Sequence, residues 1–118
     1  MNQLYETYKD RVAFLIVYIM EAHPVEDDGT GGGKLPIKIR EHQTDGERHG
    51  AAQACRAGLE LKLPFVVDGI DDKIATIYGG RPDRIYIINK EGTIHYKGGK
   101  GPQGFKVREA ETSLKQLL

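Results

Sequence analysis

Residues 12–19 read Val-Ala-Phe-Leu-Ile-Val-Tyr-Ile, almost all apolar, β-branched or aromatic. Such a run predicts a strand buried on both faces, as in a parallel sheet covered by helices. It stops at Glu21-Ala22-His23-Pro24, where Pro24 has no N–H to give to a ladder. Working outward, residues 2–10 predict a short helix with Leu4, Tyr5 and Tyr8 on one face. On the other side, residues 26–33 (EDDGTGGG) predict a surface loop. The loop is glycine-rich but is not a phosphate cradle, because no Gly-Lys-Ser/Thr ending and no helix follow it. Residues 36–40 (PIKIR) alternate as a short edge strand would.

Thr44-x-x-Glu47 then forms a capping box. The helix it opens carries Ala51, Ala52, Cys55 and Leu59 on one apolar face, which suits packing on a sheet. Residues 64–67 (PFVV) predict a second short buried strand, and residues 71–78 a short helix closed by Gly79-Gly80. Residues 84–89 and 93–97 predict a hairpin, with Gly92 suited to the left-handed position of a bulged turn. After a loop over residues 98–104, Val107, Ala110, Leu114 and Leu117 mark a last helix. Glu109 and Glu111 near its start and Lys115 near its end complement its dipole. Helix, strand, helix, strand, helix, hairpin, helix is an α/β layer pattern.

The bulk properties exclude several classes. A chain of 118 residues holds one core, so residues 1–118 are read as a single domain. Seventeen basic and seventeen acidic residues cancel, which argues against the excess positive charge of a nucleic-acid partner. The longest apolar run, residues 12–20, falls short of the ~20 residues of a membrane span. No secretory signal is expected, because residues 1–6 (MNQLYE) lack a basic start and an apolar stretch behind it, and the expected location is cytoplasmic. One cysteine, Cys55, excludes an internal disulfide and a Cys-x-x-Cys pair within these residues. On an apolar helix face it reads as a small buried hydrophobe, not a nucleophile. His23, His42, His49 and His95 lack the spacing of a zinc site, and no metal or other cofactor is expected.

A family resemblance rests on several stretches in order. They are Tyr18-Ile19-Met20-Glu21-Ala22-His23-Pro24, Pro64-Phe-Val-Val-Asp68, Ile77-Tyr78-Gly79 and Pro82-Asp-Arg-Ile-Tyr-Ile-Ile88. Gly92-Thr-Ile-His-Tyr-Lys-Gly-Gly-Lys-Gly-Pro102 and Gly104-Phe105 complete them. Together they resemble the iodothyronine deiodinase family over most of the chain. The resemblance implies a thioredoxin-like α/β sandwich, a central sheet flanked by helices. It also implies selenol or thiol redox chemistry, or reductive dehalogenation, on a small aromatic or thiol substrate. In the family a central strand and a nucleophile-bearing turn come before the helix that opens this chain. The expectation is therefore a thioredoxin-like domain without its N-terminal core strand, inactive by itself. Of the family's Asp-Gly-Trp segment, Asp28-Gly29 is present and the Trp is not.

The resemblance implies His23 as the group that manages a proton, suited to it by an imidazole that titrates near neutral pH. Two residues earlier in extended backbone, Glu21 projects to the same side and orients the ring. Lys100 stands where vertebrate members have a substrate-binding arginine, offering a point charge instead of a fork. Arg81 and Pro82 lie beside it, Pro82 where thioredoxin folds often keep a cis-proline. The two open ends of the hairpin, Pro82 and Gly98, must be neighbours on strand polarity alone; placing Glu21 and His23 at that rim rests on the resemblance. Without the central strand, the strands at residues 12–19 and 84–89 would each expose an inner edge. Direct pairing of the two, strand exchange or a homodimer is expected to cover it. Two other readings stand beside this one: a non-catalytic thioredoxin-like binding or self-associating module, and a peroxiredoxin-like peroxidase.

Overall fold

The computed structural model describes residues 1–20 and 42–118. Its elements are α1 (Asn2–Tyr8), β1 (Ile16–Tyr18), α2 (Asp45–Gly58), β2 (Phe65–Val67), α3 (Lys73–Tyr78), β3 (Tyr86–Ile88), β4 (Ile94–Lys97) and α4 (Val107–Lys115). This is a mixed α/β chain whose elements follow the order read from the sequence. The expected edge strand over residues 36–40 and the loop over residues 26–33 fall outside the described residues. No helix among the described residues is long and apolar enough to cross a membrane.

Among the described residues the strands form two separate pairs where the resemblance implies one central sheet. β1 and β2 are parallel, with Ile16 opposite Phe65 and Tyr18 opposite Val67. β3 and β4 are antiparallel, with Tyr86 opposite Lys97 and a bulge between the Ile87 and Ile88 pairings. Among the described residues β1 does not pair with β3, so direct pairing of those two strands is not how the chain covers its edges.

The apolar run at residues 12–19 is a strand only in its second half. Its first half belongs to the end of α1: Arg11 and Val12 N–H both donate to Tyr8 C=O, and Phe14 packs edge-on to Tyr5 at 5.4 Å. Leu15 is 60% exposed, and Ile16 and Val17 are half-buried, so β1 is not enclosed on both faces.

Local chemistry explains the helix ends. Thr44 Oγ1 accepts from Glu47 N–H at 3.1 Å, and Glu47 Oε2 accepts from Gln43 N–H at 2.8 Å. This is the predicted capping box, with the returning carboxylate shifted one residue outward. α3 has six residues and is held at both ends. Asp68, 3% exposed, accepts from Ile74 N–H at 3.0 Å and Ala75 N–H at 2.9 Å. At the other end Gly80 N–H donates to Ala75 C=O and Gly79 N–H to Thr76 C=O, a Schellman closure with Gly79 at φ +56°. In the hairpin turn Gly92 takes φ +85°, and Asn89 Oδ1 accepts from the N–H of Glu91 and Thr93.

Among the described residues the buried apolar side chains are Tyr8, Tyr18, Ala52, Leu63, Ala75, Ala110 and Leu114. α4 lies against the hairpin, where His95 Nε2 meets Ser113 C=O at 3.1 Å and Tyr96 OH donates to Glu109 at 3.1 Å. Tyr8 OH donates to Glu111 Oε2 at 2.9 Å, joining α1 to α4.

Candidate functional site

The candidate rim is built by the end of β1, the end of α3 and the open end of the hairpin. β1 leads to this rim: Ile19 Cδ1 lies 3.7 Å from where a Gly80 Cβ would stand. That is ordinary van der Waals distance, so the residue after β1 packs against the α3 terminus. Arg84 turns its guanidinium back to Gly79 C=O at 3.1 Å. Its Nε is buried and has no hydrogen-bond partner among the described residues. Tyr86 OH donates to Tyr78 C=O, and the two rings meet edge-on at 5.2 Å.

The hairpin ladder continues past the strands. Gly98 N–H donates to Ile85 C=O at 2.9 Å and Gly101 N–H to Asp83 C=O at 3.0 Å. The loop then folds on itself, with Gly104 N–H donating to Lys100 C=O at 2.9 Å. A Cβ on Gly104 would stand 2.6 Å from both Gly99 Cα and Lys100 O. That crossing accounts for two of the loop's glycines, Gly99 and Gly104, where backbone meets backbone with no room for a side chain.

The structure therefore brings Lys100 next to the segment that carries Arg81 and Pro82, through the Gly101–Asp83 bond. Arg81, Pro82, Asp83 and Lys100 are exposed, and the Arg81–Pro82 and Gly101–Pro102 peptides are cis. Among the described residues of the rim, three cations, Arg81, Arg84 and Lys100, stand against one carboxylate, Asp83, a balance suited to an anionic or phenolic group. Glu21 and His23 lie outside the described residues. Among the described residues no group of three His, Cys, Asp or Glu could hold a metal. Cys55 is half-buried on α2, more accessible than its place on an apolar face suggests.

One polar cluster escaped the sequence reading. Arg48 is 2% exposed and donates from Nε to His42 Nδ1 at 3.0 Å. It also donates from one terminal nitrogen to Gly69 C=O at 2.6 Å and Asp72 Oδ1 at 2.7 Å. A guanidinium only donates, so His42 Nδ1 accepts and the ring proton sits on Nε2. The cluster ties α2 to the turn between β2 and α3. Its signal was one helical turn before Ala52, where Arg48 continues the inward stripe of Ala52 and Cys55.

Comparison with known sequences identifies the family. A sequence model described as iodothyronine deiodinase matches residues 1–118. Thyroxine 5-deiodinase of Gallus gallus is 38% identical over 115 residues, which cover 98% of this chain and 43% of the relative. The Bos taurus protein of that name is 37% identical, with 98% of this chain and 37% of the relative covered. The Homo sapiens one is 36% identical, with 98% and 36% covered. The chain thus spans about two fifths of the length of the curated relatives it matches.

Proposed function

The chain belongs to the iodothyronine deiodinase family, and from that premise we propose that it forms the proton-handling and substrate-positioning part of a deiodinase-like redox protein. The observation that carries the proposal is the rim at which Ile19 meets Gly80 and Gly101 bonds to Asp83. The family chemistry is a reductive dehalogenation. An aromatic C–I bond is replaced by C–H, iodine leaves as iodide, and two thiols of a reductant end as a disulfide. A selenol or thiol supplied from outside these 118 residues attacks. In this reading His23 handles the proton and Glu21 orients it. Lys100, with Arg81 and Pro82 beside it, holds the anionic or phenolic end of a small aromatic substrate. The fold is read as thioredoxin-like, a reading supported by the parallel β1–β2 pair, the antiparallel β3–β4 hairpin and α4 against the latter.

By itself the chain is inactive in this proposal. Its one cysteine, Cys55, sits on α2 with no second cysteine to resolve an intermediate. Thyroxine serves as an iodinated aromatic probe. Its addition to isotope-labelled chain is expected to shift the amides of Arg81 and Lys100. Assays with thyroxine, peroxide, or insulin plus dithiothreitol are expected to show no turnover above the thiol background. Shifts confined to residues away from residues 79–84 and 98–105 would remove the site. Turnover abolished by Cys55→Ser would remove the claim of inactivity.

A second reading, self-association, is favoured by the strand edges. By ladder alternation, Val17 turns its peptide groups away from β2 and Tyr86 turns its own away from β4. Among the described residues no strand covers either edge, and open edges invite a second chain. Light scattering on a sizing column is expected to give a homodimer; a monomer at all concentrations would discard this reading.

A further inference from the structure

Among the described residues β2 is hydrogen-bonded along one side only. Pro64 C=O accepts from Ile16 N–H at 2.9 Å, and Asp68 N–H donates to Tyr18 C=O at 2.8 Å. Bonding in a parallel ladder alternates by two residues, so Pro64, Val66 and Asp68 turn their peptide groups towards β1. Phe65 and Val67 turn theirs the other way, where no strand lies among the described residues. That same edge opens on a groove of about 420 Å³ between β2 and α2. Ala52, Phe65 and Val67 line it, and its helical side carries His49 and Arg56. The Arg56 guanidinium carbon stands 5.8 Å from the Phe65 ring centroid. Among the described residues no carboxylate lines the groove, and Val66, which also lines it, is 44% exposed.

We propose that this edge binds an extended peptide segment with acidic side chains, added as a strand beside β2. Strand addition gives the peptide N–H and C=O groups of Phe65 and Val67 partners. Alternate side chains of the added strand point to the α2 side, where a carboxylate meets Arg56 and His49. A free small anion would engage Arg56 but leave the two sets of peptide groups unmet. A second copy of β2 would bring another Arg56 and His49 to the seam and no acid to neutralise them.

The test titrates isotope-labelled chain with the peptide acetyl-Val-Glu-Val-Glu-Val-amide and reads each amide. Phe65 and Val67 amides are expected to shift and to exchange more slowly with solvent. The Val66 amide, already held by β1, keeps its exchange rate. The same peptide with Lys for Glu binds roughly five-fold more weakly, and Arg56→Glu reverses that preference. The two-peptide comparison on the unaltered chain stands whether or not the variant folds. The proposal is overturned by any of three results: no response at Phe65 and Val67, the same response to acetate alone, or protection of those amides that grows with protein concentration without peptide.

Discussion

Replacing Asp68 by alanine removes the carboxylate that receives two N–H groups at the start of α3, at 3.0 Å from Ile74 and 2.9 Å from Ala75. Hydrogen bonds to a charged group contribute about 1.5–3 kcal/mol each. Ala75 is buried and its N–H has no route to water, whereas Ile74 is half-buried and partly rehydrates. The expected loss is therefore about 3 kcal/mol, one bond in full and part of the other. A helix of six residues has almost no stability of its own, so nothing within α3 compensates. Asp68→Asn keeps one oxygen but sets an amide N–H₂ against the second donor, and is expected to lose about half as much. Urea unfolding followed by far-UV circular dichroism, at fixed protein concentration, measures both. With a slope of about 1–3 kcal/mol per molar, alanine lowers the midpoint by roughly 1–3 M. Hydrogen exchange of Ile74 and Ala75 should accelerate in step. The reasoning fails if alanine lies within about 0.5 kcal/mol of the parent, the range of ordinary surface substitutions. It fails equally if asparagine is as damaging as alanine.

Three other outcomes follow from the geometry. Arg48→Met removes the donor to Asp72 Oδ1, Gly69 C=O and His42 Nδ1 and should cost about 3 kcal/mol or more in the same urea assay, with Arg48→Lys failing to restore it because an ammonium cannot reach three acceptors as a planar fork does. Gly104→Ala forces its Cβ into the backbone of Gly99 and Lys100; it should cost about 1–3 kcal/mol and shift the Lys100 amide in NMR spectra. The hydroxyls of Tyr8 and Tyr96 are held above the ordinary value of 10.0, first by burial and then by hydrogen bonds to Glu111 and Glu109. Because the folded state holds those protons more tightly, their contribution to stability is complete below about pH 10 and disappears as pH rises through the raised values. Ultraviolet titration of Tyr8→Phe and Tyr96→Phe should each lose a late-ionising phenol.

The order of elements was legible because each carries a local signal: Thr44-x-x-Glu47 opens α2, Gly79-Gly80 ends α3 and Gly92 makes the turn. Strand lengths were not. Residues 12–19 are uniformly apolar, so periodicity holds no mark of the place where Val12 and Phe14 fold back on α1 and only Ile16–Tyr18 enters a ladder. The neighbourhood of Lys100 and Pro82 followed from the polarity of a hairpin, which local turn chemistry sets. The partners of Arg48 did not follow from its inward helical position, because Gly69 and Asp72 lie 21 and 24 residues away. Nothing in the spacing of an arginine on a helix announces which distant carbonyl will meet it.

The bond between Tyr8 and Glu111 spans 103 residues. On the ribosome, at ~5–20 residues per second, the first helix waits roughly 5–20 s before the last one is even synthesised. Through that interval Tyr8 has no Glu111 to bond, and its ring lacks the cover of α4. The β1–β2 pairing, between Ile16 and Phe65, becomes available in about half that time. Vectorial synthesis thus imposes a sequence of events on this chain: the parallel pair closes first, and the α1–α4 contact is made last. A nascent chain halted before residue 107 would display Tyr8 and the underside of the hairpin to whatever chaperone meets it.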